Sequence, residues 1–220
     1  MAGARLPGTT EMVSAPSVFG TPGRRSRVAR GFRAPVSLVL LAAGLALALE
    51  NSWFRVLEAG TAAPLVGFST SSTVSVRPGT ETIFLGLYTP RVFGLTVTPE
   101  CTAALPIAAL LALAGVLTLT GRFPLARILF GLLAATSGIF AVNQFRITMI
   151  GWAAHTWGAA GYGWAHATVG SLVVLAGVSA AIVAFLAICG GGAFRSTRRA
   201  LNPSTPAPPA DPPDGAPKGR

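Results

Sequence analysis

A thiol, a guanidinium and an imidazole stand at Cys101, Arg146 and His166. These are a nucleophile, a charge stabiliser and a proton carrier. A thiolate can attack a carbonyl carbon, a fixed cation can hold the oxyanion that develops, and an imidazole can shuttle the proton near neutral pH. A cysteine with a histidine far off in sequence is a candidate catalytic pair. Each of the three lies near the end of a long apolar run. Cys101 opens the run to Thr120, Arg146 lies near the end of the run Pro124–Ile150, and His166 lies near the start of the run Trp164–Cys189. If these runs are antiparallel membrane helices, the three side chains meet at one membrane face.

Neighbouring residues support or compete with this trio. Asn143 is three positions before Arg146, so the two share a helical face. Glu100 precedes the cysteine and either orients a partner or faces water. Gly170, four positions after His166, would let a neighbouring helix approach closely. At a helix N-terminus, as expected for Cys101, the dipole favours a thiolate. His155 is the rival histidine, expected in the loop joining the last two runs. An arginine at a helix end usually snorkels to headgroups, and a free cysteine in an apolar protein is usually a small hydrophobe. The second cysteine, Cys189, falls at the opposite membrane face, about 39 Å from Trp164 along a helix rising ~1.5 Å per residue. A disulfide to Cys101 is therefore excluded. Two histidines and one cysteine lack the spacing of a metal site, and no cofactor is implied.

The elements that must position these groups follow from composition. The chain has 220 residues, 51% hydrophobic and only 11% charged, too apolar for a soluble domain of this size. The apolar runs are Ala34–Val56, Cys101–Thr120, Pro124–Ile150 and Trp164–Cys189, each near the ~20 residues that cross a bilayer. Backbone groups find no water there, so the runs must be helical. The fold class expected is an all-α integral membrane protein with four transmembrane helices. Six arginines precede the first run, Arg122 and Arg127 flank the turn between the second and third, and Arg195, Arg198 and Arg199 follow the fourth. Four crossings put all three groups on one side. The positive-inside bias makes that side, and both termini, cytoplasmic. Trp53, Trp152, Trp157 and Trp164, with Tyr88 and Tyr162, fall on the other side, where interfacial rings belong. The net charge of +10 is concentrated at membrane flanks, which argues against nucleic acid as a partner.

Three parts are expected. Residues 1–33 form a basic, disordered cytoplasmic arm, with a signal-peptide n-region as the alternative. Residues 34–190 form the membrane domain, whose outer segment 57–100 is the one sizeable soluble piece. Residues 191–220 form a basic, Pro-rich disordered tail. Within the outer segment, Ser72–Arg77 and Glu81–Leu87 flank Pro78-Gly79 and predict a β-hairpin, to which Arg91–Thr98 could add a third strand. A re-entrant segment is the alternative.

The motifs also resemble a known family. Asn143-Gln-Phe-Arg146-Ile147 looks like the Asn-x-x-Arg-Ile motif of the exosortase/archaeosortase family. Pro99-Glu-Cys101-Thr-Ala resembles that family's cysteine segment, and His166-Ala-Thr-Val-Gly170 its histidine segment. The resemblance covers about residues 80–185. It implies a membrane-embedded cysteine peptidase or transpeptidase that cleaves C-terminal sorting signals, each a short motif followed by a transmembrane helix and a basic tail. Cys101, Arg146 and His166 would be its catalytic residues, and membrane-anchored exported proteins its substrates. It further implies a multi-pass plasma-membrane protein, bacterial by composition, with an outward-facing site. The chain departs from the family in having Thr102-Ala103 where members often carry Ser-Gly, and in its small number of crossings. The reading from a different class is a non-enzymatic four-helix scaffold or accessory protein of a cell-envelope or transport complex. A small-solute transporter would need polar residues near the membrane midplane, which the runs lack.

Overall fold

The computed structural model describes residues 24–87 and 92–191, with side chains from residue 32 onward. In chain order the elements are α1 (Arg24–Leu49), α2 (Ser52–Thr70), β1 (Val74–Val76), β2 (Thr82–Leu85), β3 (Phe93–Thr96), α3 (Ala104–Thr120), α4 (Leu125–Trp164), a π-helical turn (Ala165–Val169) and α5 (Gly170–Gly190). Residues 1–23 of the basic arm, Tyr88, the arginines after α5 and the Pro-rich tail lie outside the described residues; residues 24–33 of that arm, expected to be disordered, are helical and form the first part of α1.

Buried side chains divide into two stacked tiers. In the lower tier α1 packs on α3, α3 on α4, and α4 on α5. Leu40, Leu47, Leu110, Ile128, Leu132 and Phe185 fill it, with Cys189 among them. Two helical stretches here are long and apolar enough to cross a membrane, Phe32–Leu49 and the run Leu125–Gly190; Ala104–Thr120 is a shorter apolar helix. Arg33, in the third turn of α1, approaches Gly121, in the turn after α3. One end of this tier therefore gathers Arg33, Arg122 and Arg127. Ser37 donates a hydrogen bond to the Gly115 carbonyl (2.7 Å) and ties α1 to α3 where water would be absent.

The upper tier packs α2, the sheet and the second half of α4 around Ala59, Val66, Ile83, Leu95, Ile147 and Ile150. The sheet is antiparallel with order β1-β2-β3. Its first turn carries Pro78 and then Gly79 at φ +75°, closed by a bond from the Thr80 amide to the Arg77 carbonyl (3.1 Å). That is the type II geometry Pro-Gly favours. Arg55 of α2 pairs with Glu81 (2.9 Å) and donates to the Val97 carbonyl (3.3 Å), seating the sheet on α2.

Three expectations are corrected here. The first apolar run does not continue to Val56; it breaks at Glu50-Asn51. Residues 57–70, expected to belong to the outer segment, are helical and form the 19-residue α2 together with residues 52–56. This helix runs alongside α4 in the same direction: Phe54 meets Phe140 edge-on at 6.1 Å, and Val66 meets Gly151 about three turns further along. The helix at Pro124–Ile150 also continues further than expected. It runs to Gly158, where φ +62° and ψ −144° interrupt it before it resumes. His155 consequently sits on α4 and not in a loop.

The backbone conformation of Gly158 is one that only glycine adopts without strain. Gly158→Ala should therefore cost about 1–3 kcal/mol and lower the thermal midpoint of the detergent-solubilised protein. An unchanged midpoint in scanning calorimetry would mean that the interruption is not required by the fold.

Candidate active site

Three segments converge above the lower tier. The first is the turn after β3. Cys101 belongs to this turn, not to a helix: its amide bonds the Thr98 carbonyl (2.9 Å), and α3 begins only at Ala104. This corrects the helix-start position expected for the thiol. The helix dipole weakens beyond the first turn, so it is a lesser influence on Cys101 than the sequence implied. The second segment is α4 around Asn143 and Arg146. The third is the π-helical turn, which returns the chain after the break at Gly158 and carries His166.

The result is a direct pair. Cys101 Sγ lies 2.8 Å from His166 Nε2, across 65 residues of sequence. The imidazole stacks on Tyr162 (centroids 5.3 Å, interplanar angle 20°), and Tyr162 in turn packs against Phe93 of β3 at 5.9 Å. This fixes the ring's plane from behind. Leu95, Thr96, Val97, Ile147 and Ile150 complete the surrounding wall. The cavity between them is about 10 Å³, room for about one water molecule. Cys101 is 6% exposed. A far larger cavity of about 940 Å³ opens at the break in α4, bordered by Phe93, His155, Trp157 and Gly158.

Arg146 is also buried (6% exposed), and its Nε has no hydrogen-bond partner. It lies against Gly170, where an added Cβ would stand 2.9 Å from that Nε. Gly170 thus makes room for the arginine side chain. The guanidinium acts electrostatically on both His166 and Glu58, so its charge reaches the cysteine–histidine pair from beneath. Glu100 faces solvent; a hydrogen bond from the Thr98 hydroxyl holds its carboxyl below the usual carboxylate range. His155 borders the large cavity and is not part of the Cys101 pocket. Among the described residues, no three His, Cys, Asp or Glu side chains gather to hold a metal ion.

One residue escaped the sequence reading. Glu58 of α2 has no exposed surface. Its Oε2 accepts from the Thr102 hydroxyl (2.5 Å), and its Oε1 accepts from the Ala103 amide (2.9 Å) and from Asn143 Nδ2 (2.7 Å). Thr102 Oγ1 also accepts from the Ala104 amide (3.1 Å). Glu58 therefore clamps the two residues after Cys101 to α4 and satisfies an amide at the open start of α3. The one sequence signal was a carboxylate amid Leu, Ala and Gly, seven residues after the helix break at Asn51.

Removing Glu58 strands three buried donors, at about 1–3 kcal/mol each. Glu58→Ala should unfold several degrees earlier than the parent, and Glu58→Gln should lose less because its carbonyl oxygen still accepts. Thermal melts of both variants in one detergent test this. A Glu58→Ala protein as stable as the parent would show that the clamp carries no weight.

No curated protein and no solved structure matches the chain. A family model described as transmembrane exosortase matches residues 79–186, from the turn between β1 and β2 to the body of α5. That span holds Cys101, Asn143, Arg146, His166 and Gly170 and leaves Glu58 outside. The matched region is thus the one that assembles the cysteine–histidine pair, and the chain belongs to the transmembrane exosortase family.

Proposed function

We propose that this protein is a membrane cysteine peptidase or transpeptidase that cuts C-terminal sorting signals of membrane-anchored exported proteins. The contact that carries the reading is Cys101 Sγ to His166 Nε2 at 2.8 Å. A scaffold has no use for a buried thiol and imidazole in this register, with a guanidinium beneath them.

The chemistry uses each group once per half-reaction. His166 Nε2 takes the Cys101 proton, and the sulfur attacks the scissile carbonyl carbon. Charge moves to the carbonyl oxygen, and Arg146, whose Nε lacks a partner, stabilises it. Collapse of the tetrahedral species breaks the C–N bond, and His166 returns its proton to the leaving amine. A thioacyl enzyme remains. Water or an amine then attacks it, His166 again accepting the proton, and the thiol is regenerated.

The proposed setting is a bilayer crossed by α1, α3, α4 and α5, with the arginine-rich end of the lower tier cytoplasmic and the Cys101 pocket facing outward. The positive-inside bias supports this. So do the tryptophans, all four exposed, with Trp152, Trp157 and Trp164 on α4 beyond Ile150 and Trp53 at the start of α2. Labelling of intact cells with a membrane-impermeant maleimide should modify Ser71→Cys and spare Arg122→Cys. The reverse pattern would place the pocket on the cytoplasmic side, where exported substrates do not present their cleavage site.

Activity is tested on a candidate substrate that ends in a motif, a helix and a basic tail, followed by immunoblot. Cys101→Ala should abolish cleavage at normal membrane insertion, and Cys189→Ala should leave it unchanged. Arg146→Lys keeps the charge but loses the planar fork. It should be slower by about 10²–10³, the loss seen when one oxyanion donor is removed. His166→Ala should be at least as slow, and His155→Ala within a few-fold of the parent. Full cleavage by Cys101→Ala would falsify the thiol mechanism.

A further inference from the structure

Resting on the peptidase reading, we infer that the free edge of β3 is the substrate-binding site, where the main chain of an extended peptide adds as a fourth strand and delivers its carbonyl to Cys101. Among the described residues, β3 pairs with β2 alone. The Val97 amide bonds the Glu81 carbonyl (2.9 Å), continuing the register Thr82↔Thr96 and Ile83↔Leu95. Main-chain groups alternate between the two edges of an antiparallel strand. Phe93 and Leu95 therefore spend their amides and carbonyls on β2, as Val97 does its amide while its carbonyl accepts from Arg55; the main-chain groups of Gly94 and Thr96 point the other way.

That outward edge faces the chemistry. Thr96 borders the catalytic pocket together with Cys101 and His166. Its hydroxyl is turned to the exposed face, where it pairs with Thr82 Oγ1 (3.0 Å). At the other end of the strand, Val92 and Phe93 border the 940 Å³ cavity. The edge thus leads from the large cavity to the thiol, a span of four residues or about 13 Å at ~3.3 Å each.

The edge is also unguarded. Natural sheets protect their edges with charges, prolines or bulges. The opposite edge strand, β1, is followed at once by Arg77-Pro78 and packs on α2. β3 is likewise flanked in sequence, by Pro90-Arg91 before Val92, but within Phe93-Gly-Leu-Thr96 it carries no charge and no proline, and Gly94 places no side chain beside an incoming strand. Strand addition supplies affinity through main-chain bonds and leaves sequence choice to the side-chain pockets. The occupant that fits is the extended segment of the substrate holding the scissile bond, because the adjoining thiol acts on a peptide carbonyl.

The test separates capture from turnover by using two alkylating reagents on Cys101 of the full-length protein in detergent. Iodoacetamide has no peptide main chain to pair; tetra-alanyl chloromethyl ketone has. Relative to their rates with free cysteine, the peptide reagent should react about tenfold faster than iodoacetamide. Thr96→Pro and Gly94→Pro remove outward amides without touching the ladder to β2, a position where strands tolerate proline. Each should lose most of that advantage while iodoacetamide stays within about twofold. Thr96→Val, which keeps the amide, should retain it. The same loss should appear on the unaltered protein when the peptide reagent is N-methylated at alternate residues, so the inference stands or falls even if a proline variant misfolds. Equal rates for the plain and N-methylated peptide reagents would overturn edge capture and leave the nucleophile intact. A dimer that Thr96→Pro converts to monomer, with the peptide reagent unaffected, would assign the edge to a second copy and also overturn it. No alkylation of Cys101 by either reagent would overturn the peptidase reading itself.

Discussion

A carboxylate without exposed surface must find hydrogen-bond donors or drive the fold elsewhere, because an unpaired buried charge is among the costliest groups a protein can hold. Glu58 finds three, and each comes from a different relation to the site: the hydroxyl of Thr102, the amide of Ala103 and the side chain of Asn143. Meeting that demand fixes α2 along α4. It also fixes the start of α3, and with it the turn that holds Cys101. Arg146, one turn beyond Asn143, supplies the opposite charge nearby. Burial pushes the Glu58 carboxyl up, and the three hydrogen bonds and then the Arg146 charge act against it; the position of the thiol follows from the hydrogen-bonded arrangement.

The second half of the pair depends on the backbone. α4 carries Arg146 outward, but His166 must come back to the same level from the far side. The non-helical conformation of Gly158 interrupts the helix, and the π-helical turn at Ala165–Val169 re-phases it. A π-turn inserts one extra residue per turn and commonly marks a functional site. Here it lies between Tyr162, which stacks under the imidazole, and Gly170, which leaves space for Arg146. His166 and Gly170 are four apart in sequence, yet one serves the thiol and the other the guanidinium.

What was legible in the sequence follows the strength of each physical signal. Long apolar runs and arginine clusters marked the helices of the lower tier, because a membrane-like interior admits little else. Pro78-Gly79 marked the hairpin through its turn chemistry. α2 was hidden because Gly60, Pro64 and Gly67 look like helix breakers. They are tolerated because the helix packs against α4 and the sheet, and tertiary burial overrides propensity. The continuation of α4 past Ile150 was hidden by Gly151, Gly158 and the polar His155-Thr156. Cys101, Arg146 and His166 stood out as polar groups at the ends of apolar runs. Glu58 did not, because its meaning lies wholly in partners that are 44, 45 and 85 residues away.

The boundary between the two tiers explains why the polar groups crowd where they do. The lower tier offers its side chains little besides each other and local bonds, such as Thr118 to the Ala114 carbonyl (2.8 Å) one turn back. Its described arginines, Arg33, Arg122 and Arg127, stand at one end. The first level at which strands, turns and a second layer of helix supply extra donors is the start of α3. Glu58, Asn143, Arg146, Cys101 and His166 all occupy that level. At the same depth the wall is still apolar, with Leu95, Val97, Ile147 and Ile150 against the thiol, and water is kept to about a single molecule. A charge that develops on a carbonyl oxygen in such a place is felt strongly by a nearby guanidinium, since little solvent intervenes to screen it. The tier boundary is therefore the one depth in the fold where the chain can both satisfy these groups at rest and leave their fields unscreened for a reaction.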